Sequence, residues 1–205
     1  MKKITKLQAS AATVGFAAMA AFAVVPGAFA DSDTSSTDIN GLLNSTISVT
    51  SGSSVALNVL PTSTGSITTN SDTVLVSTNN ANGYTLTLST SGATTALTGD
   101  VSAGTIPASA GTQTTPVSLA ANTWGYRVDG VGGFGAGPTS VVTNQATESH
   151  TWAGVPASGA ANTIKTYTTG AASNDSTTVW YALNATTAVA GDNYSNTVVY
   201  TAATR

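Results

Sequence analysis

The sequence predicts an all-β fold: an antiparallel β-sandwich of Greek-key, Ig-like or jelly-roll-like type, preceded by a signal peptide. Apolar and polar residues alternate in many short runs, which is the two-residue period of half-buried strands. Thr and Ser make up about a third of the chain after residue 30 and favour strands and turns over helices. Roughly eight to ten short strands without helices between them exclude a parallel sheet, because parallel pairing needs long crossovers.

The clearest strand is the run in which Tyr84, Leu86 and Leu88 alternate with hydroxyl residues. The same alternation occurs at residues 55–59, 124–128, 179–183 and 198–200, and shorter candidates are 47–49, 74–76, 141–142 and 164–167. Turn residues separate these runs, as at Asn82-Gly83, Ser91-Gly92 and residues 191–193. Residues 94–116 and the glycine-rich stretch 130–137 are predicted to be long loops.

The first thirty residues have the layout of a secretory signal peptide. Three lysines precede an apolar stretch over residues 11–25, and Ala28, Phe29 and Ala30 supply the small residues that a signal peptidase requires. Cleavage is therefore expected between Ala30 and Asp31. This assigns residues 1–30 to the signal peptide, 31–43 to a flexible polar leader and 44–205 to a single β-sandwich domain. No stable membrane insertion is expected after cleavage.

Composition narrows the range of partners. Removing Lys2, Lys3 and Lys6 with the signal leaves three basic residues against nine acidic ones, a formal charge of −6. An acidic surface disfavours nucleic acid, which requires a basic surface on its protein partner.

The sequence has no cysteine, so the exported fold depends on hydrophobic burial and not on disulfides. Because only 7% of residues are charged, unprotected strand edges are expected to allow weak self-association.

The residues suited to catalysis are few. His150 is the only histidine and Glu148 the only glutamate, and no G-x-S-x-G nucleophile motif occurs. His150 is predicted to lie at an exposed strand end, and the aspartates are predicted to close turns. We therefore expect no catalytic residue, no metal ligand and no cofactor.

Lys165 is the only lysine after the signal peptide. Strand lysines in some Gram-positive surface proteins form an amide bond with an asparagine, and Asn196 is the candidate partner here. The alternative is that Lys165 protects an edge strand from pairing with other chains.

Trp124, Trp152 and Trp180 remain after cleavage. Exposed aromatic rings of β-sandwich modules stack on sugars, whereas buried ones fill the core. Trp124 shares a strand face with Tyr126 and is expected in the core. Trp180 lies opposite Tyr181 in the alternation and is expected to point outward. Trp180 and Trp152 are therefore the candidate ligand-binding residues.

Three motifs carry a resemblance to a known group of proteins. They are NNANGYTLTL at residues 79–88, NTWGY at 122–126 and YSNTVVYTA at 194–202. With them the chain resembles small secreted β-sandwich surface proteins of ultrasmall, host-dependent bacteria, and it is distantly similar to WxL-type cell-wall-binding domains. The resemblance implies an extracellular location at the cell surface. It departs from the WxL pattern at residues 180–183, which read W-x-x-L.

These observations predict a secreted cell-surface protein with a structural or adhesive role and no catalytic activity. The expected partner is a cell-surface glycan or another surface protein. The alternative is an extracellular carbohydrate-binding module, followed by a pilin-like subunit or a hydrolase. The last strand, residues 194–202, is expected to be central to the sandwich, with Val198 and Tyr200 facing the core.

Overall fold

The computed structural model describes residues 32–138 and 140–205. Their strands all lie in one unit, Leu43–Arg205. Residues 32–42 form neither strand nor helix, and their side chains are exposed. The predicted signal peptide and its cleavage site at Ala28, Ala30 and Asp31 lie outside the described residues.

The described residues contain twelve strands and no helix, so the predicted all-β class is confirmed. The strands are β1 (Ile47–Thr50), β2 (Ser66–Thr78), β3 (Tyr84–Thr90), β4 (Leu97–Gly99), β5 (Thr105–Ile106), β6 (Val117–Ser118), β7 (Thr123–Arg127), β8 (Thr151–Trp152), β9 (Asn162–Tyr167), β10 (Ala172–Ala185), β11 (Tyr194–Ser195) and β12 (Val198–Thr204). Each pairing between these strands is antiparallel.

Two larger sheets organise the fold. The first has the order β1-β2-β10-β7 and the second the order β12-β3-β9. Two smaller sheets, β11-β4-β5 and β6-β8, lie beside them. β2 and β10 are the longest strands, with 13 and 14 residues, and pair along nearly their whole length.

Side chains from both larger sheets meet in one hydrophobic core. Tyr84, Leu86 and Leu88 of β3 are fully buried, as the alternation predicts. They pack with Val74 and Val76 of β2 and with residues of β7, β9 and β10. Burying one such aliphatic or aromatic side chain stabilises the fold by about 1.5–3 kcal/mol. This shared core, and not any disulfide, holds the sheets together.

A tight turn carries the chain from β2 in the first sheet to β3 in the second. Gly83 has a φ of +78°, and a Cβ at this position would collide with the Tyr167 carbonyl, so the turn requires glycine. The Asn80 side chain accepts a hydrogen bond from Asn82 N at 3.0 Å and donates one to Arg205 O at 2.8 Å. The turn is thereby joined to the C-terminus.

The prediction that the last strand is central is wrong, because β12 pairs with β3 alone and forms an edge of its sheet. The predicted facing of its residues is confirmed. Val198 and Tyr200 pack against the core, while Thr201 is exposed. β12 lies next to a strand more than one hundred residues earlier in the chain.

Candidate functional site

The two tryptophans predicted to bind ligand are buried. Trp152 is 0% and Trp180 7% exposed, so the expectation that Trp180 points outward is wrong. Trp180 does lie on the face of β10 opposite Tyr181. That face is covered by the segment carrying β6 and β8, which forms a second apolar cluster on the first sheet. Neither ring is available for stacking on a sugar in this structure. Trp124 is 3% exposed and lies in the core, as predicted.

Arg127 lies on the same covered face and is 1% exposed. Its Nη2 donates hydrogen bonds to Phe134 O at 2.9 Å and to Ala136 O at 2.8 Å, both in the glycine-rich loop 130–137. The guanidinium also lies over the rings of Phe134 and Trp152, at 5.7 and 5.9 Å from their centroids. Burial lowers the pKa of Arg127, and the charges of Asp129 and Glu148 oppose that change. Through these contacts Arg127 holds the loop 130–137 in place.

His150 does not form part of a catalytic triad in the described part of the chain. Its Nδ1 contacts Glu148 Oε1, and its backbone N donates to the same oxygen at 2.7 Å. The predicted exposed position is wrong, because the His150 side chain is 27% exposed and that of Glu148 only 6%. Within residues 32–138 and 140–205 no Ser or Thr hydroxyl is hydrogen-bonded to the His150 ring, so the geometry there shows a local His–Glu pair without a nucleophile.

Lys165 joins the two larger sheets through Asp175. Its Nζ donates to Asp175 Oδ1 at 2.7 Å and to Ser176 O at 2.8 Å, and Tyr84 OH donates to Asp175 Oδ2 at 2.8 Å. Burial raises the pKa of Asp175, but the hydrogen bonds from Lys165 and Tyr84 outweigh it and the net pKa is lowered. Asp175 is therefore ionised and lies in a strand, not in the predicted turn. Asn196, the predicted amide partner of Lys165, instead donates to carbonyls of residues 94 and 96.

A cleft of about 590 Å³ is the candidate functional site, and sequence reasoning did not find it. Its walls come from both larger sheets and from residues 51–61, which we call the strap. Tyr181 and Leu183 of β10 line one side, and Val198 and Tyr200 of β12 line the other. A volume of this size lies within the range of small-molecule sites, about 300–1,000 Å³.

The strap continues from β1 alongside β2 but forms no strand. Val55, Leu57 and Val59 pack against the core as their alternation predicts, yet the predicted strand over 55–59 is wrong. Side chains of β2 bind the strap in place of a main-chain ladder: Asn70 Nδ2 donates to Ala56 O and Thr68 Oγ1 donates to Asn58 O, both at 3.0 Å.

The strap forms no strand because another segment, residues 142–145, is hydrogen-bonded to this edge of β2. Ile67 and Gln145 exchange both main-chain hydrogen bonds, at 2.8 and 2.9 Å. Thr69 N also donates to Val142 O at 2.9 Å. Residues 142–145 therefore hydrogen-bond to the main-chain groups of β2 that would otherwise pair with the strap. The strap instead lies against the core through its apolar side chains.

The polar groups of the cleft are concentrated around Asp72, a residue of β2. Asp72 is 8% exposed, and its Oδ1 accepts a hydrogen bond from Gly52 N of the strap at 2.8 Å. The hydroxyls of Tyr181 and Tyr200 are hydrogen-bonded to each other at 2.7 Å. Burial raises the pKa of both phenols, and the nearby Asp72 carboxylate raises them further. Trp124 stacks on Tyr181 with ring centroids 6.5 Å apart.

Asp192 lies at the rim of the same cleft. Its Oδ2 accepts hydrogen bonds from Val101 N at 2.9 Å, Ser102 N at 2.7 Å and Ser102 Oγ at 2.8 Å. These bonds, chiefly those from Ser102, lower the pKa of Asp192 to about 2. The carboxylate is therefore an anion at neutral pH and closes the loop that follows β4.

The described residues hold no group of three or more His, Cys, Asp or Glu side chains that could bind a metal ion. They also include no helix of the length and apolarity needed to span a membrane. Comparisons with protein-family models, curated protein sequences and solved structures found no match.

Proposed function

We propose that this protein is a secreted cell-surface protein that acts by binding and not by catalysis. In this proposal residues 1–30 are a signal peptide removed between Ala30 and Asp31. The domain that follows is a β-sandwich whose two larger sheets pack face to face. The N-terminal sequence pattern, the acidic charge balance and the core shared by the two sheets support the proposal.

The observation that carries this function is the cleft between the sheets. It is a partly open groove of about 590 Å³ beside the strap, bordered by side chains of both larger sheets. Aromatic rings, aliphatic side chains and polar groups converge on that space, and ligand-binding pockets also combine apolar and aromatic residues with polar groups that orient the ligand. The cleft is therefore the proposed binding site.

The groups lining the cleft favour binding over hydrolysis. A pair of catalytic carboxylates requires one that is protonated and one that is ionised. Asp192 has a pKa of about 2 and cannot serve as the acid at neutral pH. Its oxygen is also committed to Val101 and Ser102. His150 and Lys165, which could otherwise move a proton, do not line the cleft.

A carbohydrate-binding module is the second candidate, favoured by the tyrosines of the cleft. Tyr194 and Tyr200 line it and are only partly buried, so their rings offer a surface on which a sugar could stack. These two residues replace Trp152 and Trp180 as the proposed contacts.

Binding of the fluorescently labelled mature domain to intact cells tests the proposed function. We expect saturable binding that unlabelled domain competes away. Tyr200→Ala should weaken the binding, while Tyr167→Ala, at a tyrosine outside the cleft, should weaken it less. A glycan array separates the candidates: retention on defined neutral glycans would favour the carbohydrate module, and loss of cell binding after protease treatment would favour a protein partner. Absence of saturable binding to any cell surface would contradict both.

A further inference from the structure

Asp72 is a buried carboxylate without a basic partner in the described part of the chain. No Lys, Arg or His nitrogen lies within 4.0 Å of it; the ion pairs formed there are Arg127–Asp129, His150–Glu148 and Lys165–Asp175. Its hydrogen-bond partners are Gly52 N, which donates to Oδ1 at 2.8 Å, and the hydroxyl of Tyr200. Burying a carboxylate is costly unless its charge is balanced, and these two hydrogen bonds leave Asp72 without a counter-ion, which a bound cationic group would supply.

The cleft offers the space for that group directly beside Asp72. Tyr181 and Tyr200 line the same cleft, and the Asp72 charge is close enough to raise the pKa of both tyrosines. Aromatic ring faces attract cations, and the attraction strengthens when water is excluded. Asp72 lies beside the rings of Tyr181 and Tyr200, an arrangement suited to an organic ammonium ion.

The charges of the residues that line the cleft disfavour anionic ligands. Asp72 and Asp192 both line the cleft, and among the described residues no Lys, Arg or His does. Phosphates, carboxylates and acidic sugars would therefore meet negative charge without a compensating cation. The remaining lining is mixed, with apolar side chains such as Leu57, Ile106 and Leu183 beside serine, threonine and asparagine residues. An aliphatic or aromatic body of the ligand would pack against the apolar side chains.

We propose that the cleft binds an organic cation, an amine or quaternary ammonium group on an apolar body, with the cationic centre at Asp72. The proposal rests on the cleft being the binding site proposed above and adds the chemical class of its ligand. The strap takes part directly, because its Gly52 N holds one oxygen of Asp72 and its apolar side chains close the cleft.

Isothermal titration of the mature protein with three probes of similar shape tests the proposal. The probes are benzyltrimethylammonium, benzyl alcohol and benzoate, which are cationic, neutral and anionic. We expect one benzyltrimethylammonium ion to bind per chain, about tenfold or more tighter than benzyl alcohol. Benzoate should not bind. Equal affinity for the cationic and neutral probes, or no binding of the cation, would overturn the proposal.

Asp72→Asn is the decisive variant, because an asparagine oxygen can still accept the hydrogen bond from Gly52 N. The variant should bind benzyltrimethylammonium about tenfold more weakly. Asp38→Asn removes the same charge at an exposed position and should bind as the unmodified protein does. Unchanged affinity in Asp72→Asn would refute the role of Asp72. If Asp72→Asn does not fold, the preference of the unmodified protein for the cationic probe over the neutral one decides the question.

These outcomes also separate the ligand class from the proposed function. If benzyl alcohol or a neutral glycan binds as well as the cation does, the cleft remains a binding site and the cationic ligand is wrong. If no probe binds and the labelled domain also fails to bind cells, the proposed function itself is wrong.

Discussion

Arg127 is a charged side chain enclosed by carbonyl groups and aromatic rings instead of by a buried acid. Arg127→Ala would leave the carbonyls of Phe134 and Ala136 without donors and remove the packing between Phe134 and Trp152. We expect a loss of about 3 kcal/mol in the free energy of unfolding, measured by urea denaturation. Arg205→Ala is the matched control, since its exposed side chain should contribute less than about 0.5 kcal/mol. Equal effects of the two substitutions would contradict this role for Arg127.

Asp192 should make stability depend on pH in the acid range. Its pKa is lowered in the folded protein from 3.8 to about 2, so the ionised form stabilises the fold above the unfolded pKa. That contribution is lost as the pH falls from about 4 through about 2. Melting temperatures of the unmodified protein and of Asp192→Asn should therefore converge as the pH is lowered from 5 to 2. A constant difference over this range would show that the hydrogen bonds to Ser102 do not depend on the charge.

The strap and β2 run side by side but differ in their main-chain hydrogen bonds. The strap is bound by side chains of β2, whereas β2 pairs with β10 over twelve residues. Local opening is easiest where few main-chain bonds must break. Amide hydrogen exchange should therefore be much faster at Val55, Leu57 and Val59 than in β2. Equal protection of the two segments would show that the strap is paired as a strand in solution.

Removal of the last two strands should expose the core and one wall of the cleft. Deleting residues 193–205 uncovers an edge of β3 and takes away Val198 and Tyr200, side chains worth about 1.5–3 kcal/mol each when fully buried. Typical domains are stable by about 5–15 kcal/mol, so the truncated protein should be insoluble or protease-sensitive. A soluble product with an unchanged melting temperature would show that β12 is peripheral.

Across the whole molecule, local patterns predicted which residues face the core but not what covers them. The alternation of Tyr84, Leu86 and Leu88 was sufficient to predict β3, because a period of two determines which face is buried. Trp180 is buried by residues that are distant from it in the sequence, so its burial could not be predicted from the local pattern. The same holds for the strap. The alternation predicted which of its side chains face the core, but whether it pairs as a strand depends on residues 142–145.

The cleft could not be predicted for a related reason. It combines the strap with Asp72, Trp124, Tyr181 and the region of residues 189–200, which only the sheet topology brings together. Asp72 belongs to a polar stretch that contains no apolar alternation, so the strand that carries it was predicted only in part. The pairing of β2 with β10 places Asp72 opposite Val179 and so near Tyr181, whereas Tyr200 comes from β12 of the other larger sheet.

The intact mass and cellular location of the native protein test the central claim most directly. Cells are fractionated, and the protein is identified in each fraction by mass spectrometry. If the protein is secreted, the chain begins at Asp31, lacks residues 1–30 and is found outside the cell or bound to its surface. A full-length chain retained in the cytoplasm would contradict the claim that this is a secreted surface protein.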